Sequence, residues 1–156
     1  MPIPAGPSPT LPAWAPSQER VAAYVPRRTI VGETAGYGTP EQVFTAATFP
    51  RAATVDELIL AACNWVLTAT GTLVTAYESP AADLAARHVA GWIALGNADD
   101  ADEIAHGRLL LEMCEKELAR LAAANIAASD TPDDPTTLDD NVLPVWSFPA
   151  ATEIPL

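Results

Sequence analysis

Four side chains have the chemistry of a metal ligand or a catalytic group: Cys63, His88, His106 and Cys114. A tetrahedral metal site is built from ligand pairs a few residues apart, so that one turn of chain offers two donors. None of the four has such a partner. Each cysteine falls on an apolar helical stripe, where a free thiol behaves as a small hydrophobe. The run Asn97-Ala98-Asp99-Asp100-Ala101-Asp102 opens like a calcium loop. Its sixth position is Asp102 where glycine is needed, and its twelfth is Arg108 where glutamate is needed. It reads as the acidic start of a helix. Gly32 to Gly38 is glycine-rich but lacks the lysine and hydroxyl of a phosphate loop. No serine sits in a nucleophile elbow, and no cue pairs either histidine with a nucleophile. The expectation is no catalytic residue, no cofactor, no metal and no enzyme activity.

The charge balance then narrows the partners. Eight basic residues against twenty acidic ones give −12. A protein that grips nucleic acid by its phosphates carries the opposite sign. An anionic lipid surface repels this chain too. The arginines Arg20, Arg27, Arg28 and Arg51 are interleaved with acids, which reads as a protein interface patch. Leu58 to Tyr77 is uncharged and long enough for a membrane span. Its asparagine, four threonines and Gly71 make it a poor one, so no membrane partner is expected. Residues 1–16 lack the basic start and apolar run of a signal peptide. The unpaired cysteines fit synthesis in a reducing cytoplasm.

The elements that position these residues are marked out by proline. Six of the fifteen prolines fall in the first sixteen residues and five in the last twenty-five. A helix-permissive body therefore lies between two arms. The fold class expected is all-α: a small bundle of about four helices with extended proline-rich N- and C-terminal arms. The divisions are an arm over 1–16, a helical domain over 17–129 and an acidic arm over 130–156. Helices are expected over 18–25, 55–70, 81–95 and 101–128. Ser17 caps the first and Pro26 stops it. Thr54 and Glu57 form a capping box for the second, and Ser79-Pro80 starts the third. The fourth has a stripe of Ile104, Gly107, Leu111, Cys114, Leu118, Leu121 and Asn125, stepped three and four, a seam for another helix. A short strand is allowed near 29–31 or 43–45.

The last arm has a spacer and a tip. Asp130 to Asp140 is acidic and proline-broken, which predicts an extended spacer. Beyond it come Val142, Leu143, Val145, Trp146, Phe148, Ile154 and Leu156, interrupted by Pro144, Pro149 and Pro155. Proline excludes one continuous helix. Short extended runs that add to a partner's sheet or lie in a groove are expected. Trp146 and Phe148 share strand parity and would enter one face. These seven residues are the expected partner-binding site.

Taken in order, Val21-Ala22-Ala23-Tyr24-Val25-Pro26-Arg27-Arg28-Thr29, then Phe44-Thr45, Thr48-Phe49-Pro50 and Val55-x-x-Leu58-Ile59, followed by an alanine-rich helix and a long charged one, resemble the head-to-tail adaptor (connector) proteins of long-tailed phages of actinobacteria. The resemblance covers about residues 17–128. It departs at Ile30–Val43, which is long, and at Arg51-Ala52, where a threonine-type turn belongs. It implies an all-α protein of the virion neck, made in the host cytoplasm. Copies form a ring, commonly a dodecamer, that binds the portal and the next neck protein (a stopper or tail terminator). The ring extends the DNA channel, DNA being passing cargo, and the family has no catalytic residues. An acidic wall that repels phosphate suits such a channel. The alternative is a cytoplasmic α-helical protein-binding module, chaperone-like or regulatory, with disordered acidic ends. A small helical enzyme with an acidic pocket is the third class.

Overall fold

The structure, a computed structural model, describes residues 10–31 and 42–130. It is all-α. Four helices follow in order: α1 (Gln18–Ala22), α2 (Ala52–Thr70), α3 (Thr75–Gly96) and α4 (Ala101–Ser129). A two-stranded antiparallel ribbon, β1 (Ile30–Val31) and β2 (Gln42–Val43), pairs Ile30 with Val43.

The Ser17 hydroxyl accepts from the Arg20 amide at 3.3 Å and starts α1. This helix ends at Ala22, three residues short of the expected end, and Pro26 opens a separate 3-10 turn, Pro26–Arg28. Leu11, Trp14 and Ala15 pack against the core. The folded body therefore begins ahead of Ser17. An apolar tryptophan in a proline-rich leader was the signal.

Two helix starts differ from expectation. Helix α2 begins at Ala52, with Arg51 as its N-cap and no side-chain cap bond. Thr54 is an exposed residue of its first turn, so the Thr54–Glu57 capping box does not set the boundary. The cause lies upstream. The Thr48 hydroxyl accepts from the Thr45 amide at 2.9 Å and also lies 2.8 Å from the Pro50 carbonyl. That turn brings the Thr45 carbonyl to the Ala52 amide at 3.1 Å. A backbone acceptor satisfies the orphan donor that a side chain would otherwise cap. Helix α3 begins at Thr75, ahead of Ser79-Pro80, and carries Pro80 inside. Here the cause is distant in sequence. Asn125 of α4 accepts from the Val74 amide at 2.9 Å and fixes the entry to α3. Pro80 then lacks only the bond its amide would have made to Ala76, one turn from the helix start.

Helix α3 is the hub. It buries eleven residues, six of them alanine. Small side chains let its neighbours approach, and the core is thin: the largest fully buried side chains are Ile59, Leu84 and Ile93. Gly91 and Gly107 mark the closest approach of α3 and α4. A Cβ on Gly107 would lie 2.8 Å from Leu95 Cγ and 3.1 Å from the Gly91 carbonyl. On α4 the seam runs through Gly107, Leu110, Cys114, Leu121 and Asn125, all buried. Leu111 and Leu118 are half-buried, and Ile104 is 38% exposed. The strict heptad placed Leu111 where Leu110 belongs. A straight helix turns every 3.6 residues and drifts off a 3.5 repeat. Helix α2 is long and apolar enough to cross a membrane by length and composition. Here Val55, Ile59, Ala62, Cys63 and Val66 turn into the core.

Candidate partner-docking site

Three of the four arginines read as an interface patch have acidic partners within the chain. Arg20 reaches Asp83 at 3.4 Å. Arg27 pairs with Asp100 at 3.2 Å, and Arg28 with Asp99 at 3.0 Å and with Glu103. Three of them therefore fasten the α1 segment to the body. Arg51 has no ion pair among the described residues and is exposed.

Two networks do this fastening. In the first, the Tyr24 hydroxyl donates to Asp83 at 2.9 Å, and Arg87 bridges Asp83 and Glu117 at 2.7 Å each. Burial pushes Asp83 up, but the Tyr24 hydroxyl, Arg87 and Arg20 outweigh it and hold its carboxyl below the usual range. In the second, the Asp99 amide and the Arg28 guanidinium hold Glu103 low in the same way. Asp100 caps α4 by accepting from the Glu103 amide at 2.8 Å. Both networks pair guanidinium with carboxylate within the chain, which suits positioning of the α1 segment.

Arg51 stands beside the most exposed large hydrophobe among the described residues. Phe49 is 74% exposed, on the turn held by Thr48. With Arg51, Thr54, Leu58 and Trp92 it lines a groove of about 460 Å³ between the start of α2 and the end of α3. The wall behind it is an aromatic stack. Trp65 of α2 lies over His88 of α3 with ring centroids 3.8 Å apart, and His88 meets the edge of Trp92 at 4.3 Å. Burial lowers His88 to about 4, so it is neutral at physiological pH. A stacked aromatic wall, an exposed phenylalanine and a guanidinium without an ion pair are side chains of the types that anchor protein interfaces. Leu109 and Met113 add a second uncovered apolar pair on α4, 55% and 41% exposed.

Sequence reading missed this groove. Phe49 and Arg51 were visible, but Trp92 and Leu58 come from other elements, and only the fold brings them together. Cys63 and Cys114 are fully buried, and burial raises both thiols to about 11. They lie on apolar stripes, as read. No three of His, Cys, Asp and Glu converge on a metal position among the described residues. Val142, Leu143, Val145, Trp146, Phe148, Ile154 and Leu156 lie outside the described residues.

No family model, curated protein or solved structure matches this chain.

Proposed function

We propose that this chain is a structural protein of the phage neck, forming a ring between the portal and the next head–tail connection protein and extending the DNA channel. The reading rests on the ordered set of segments from Val21 to Ile59 that resembles head-to-tail adaptors. One structural observation carries the support: an all-α body with a thin alanine core leaves Phe49, Leu109 and Ile126 uncovered, at 74%, 55% and 53% exposure. Contacts between copies would bury what one copy leaves in water. The C-terminal residues 141–156 serve as an arm for a neighbouring copy or the portal, with Trp146 as its anchor.

The test is assembly on the portal. A chain ending at Asp140 should keep its helical circular dichroism yet fail to assemble stably, and Trp146→Ala should show part of that defect. Truncated chains that build infectious particles as well as the full chain would overturn the arm. Tight, salt-sensitive binding of duplex DNA by the isolated protein would contradict the channel role, since −12 net charge opposes it.

A further inference from the structure

We propose that the exposed face of α4 between Ala105 and Ala123 is a self-docking surface, on which a second copy of this chain lies antiparallel about a two-fold axis level with Cys114. This goes beyond the neck reading and does not rest on it. A ring repeats a head-to-tail contact, whereas a two-fold contact closes at two copies.

At about 3.6 residues per turn, Ala105, Leu109, Glu112, Lys116, Ala119 and Ala123 fall within an arc of about 80° around α4. The arc lies opposite the buried Leu110, Cys114 and Leu121. All six of its residues are exposed. Leu109 is 55% exposed, and Met113 borders it with an exposed side chain of its own. Between Ala105 and Ala123 the arc carries two charges, Glu112 and Lys116, which bind each other at 2.6 Å. In a chain of net charge −12 this is a neutral strip about 27 Å long. Two copies approach there with the least repulsion.

The order of these residues fits an antiparallel neighbour. With the axis at the level of residue 114, Ala105 of one copy meets Ala123 of the other, Leu109 meets Ala119, and Glu112 meets Lys116. Each pair occurs twice. The Leu109 side chain packs over the small Ala119, which lets the helix axes approach to about 8 Å. The ion pair within each copy joins its mate in an alternating cluster of four charges. Arg108 and Arg120 also stand at matching levels, but they lie about 120° apart around the helix, on opposite flanks, and do not meet. The alternatives are worse. A parallel pairing sets Glu112 against Glu112 and Lys116 against Lys116. Sliding the antiparallel pair by one turn sets one of these residues against its own kind.

Sedimentation equilibrium of the full chain tests the face. The average mass should rise from 16.4 kDa at ~1 µM towards twice that at ~500 µM, as a small, transient interface would give. Leu109→Asp should keep the mass of one copy throughout, and so should Glu112→Lys and Lys116→Glu taken singly. Both charge changes in one chain should restore the dimer. Disulfide trapping reads the orientation. Cys63 and Cys114 are fully buried, so an added thiol reacts alone. A mixture of Ala105→Cys and Ala123→Cys chains should trap the mixed pair, because these positions meet, while position 105 of the two copies is separated by about 27 Å. Circular dichroism checks that each variant keeps its helices. A full chain that keeps the mass of one copy at the highest concentration overturns the proposal. So does a mass that climbs past two copies, or Ala105→Cys trapped with itself in preference to the mixed pair.

Discussion

His88 lies between Trp65 and Trp92 with its Nδ1 buried and unpartnered. Burial lowers it from 6.5 to about 4. Between those values the unfolded chain binds a proton that the folded chain refuses, so stability falls as pH drops through that window and levels off below it. The full effect is about 3 kcal/mol. Asp83 and Glu103, held low by their partners, act beneath the ordinary carboxylate range. The slope between about pH 5 and 6.5 therefore belongs to His88. Urea unfolding across this range should show it, and His88→Phe should flatten it. Asn125 is a second residue with a structural burden. Its amide donates to the Thr70 and Thr72 carbonyls at 3.1 and 2.9 Å, and its oxygen accepts from Val74. Asn125→Ala strands three backbone groups and should cost about 3 kcal/mol in denaturant unfolding. An unchanged midpoint would mean that water replaces the amide. The sequence placed Asn125 on the buried stripe, but periodicity does not reveal that it closes the α2–α3 turn.

At the level of elements, α4 was the most legible. Asp100 has the geometry of an N-cap and the helix runs over nearly the residues its pattern predicted. The starts of α2 and α3 were not legible, because their caps are supplied from elsewhere: a carbonyl at Thr45 and a side chain fifty-one residues along at Asn125. Local signals such as Thr54–Glu57 lose when a tertiary partner satisfies the same donors. The α3–α4 seam makes a sharp prediction. Gly107→Ala gains about 1 kcal/mol of helix propensity. Its Cβ, however, would press on Leu95, Ala94 and the Gly91 carbonyl within 3.1 Å, a strain of about 1–3 kcal/mol or more where backbone must move. The variant should be less stable. Gly91→Ala should cost less, because its nearest neighbour is the half-buried Leu111 side chain, which can give way. Thermal unfolding of the two variants checks the order.

At the scale of the whole molecule, the all-α body was legible from proline placement and helical spacing, while the Phe49 groove was not. That groove draws on residues from three stretches of chain, and spacing along one stretch cannot show it. On the proposed neck role, a thin-cored body with uncovered Phe49 and Leu109 would finish burying its surface against copies of itself on a portal. The most direct measurement is the mass of the complex formed when the full chain is mixed with its portal at low concentration. The neck role predicts one discrete species with a ring's worth of copies, roughly twelve, on each portal. A chain that remains free of the portal at every ratio, as monomer or dimer, would contradict it.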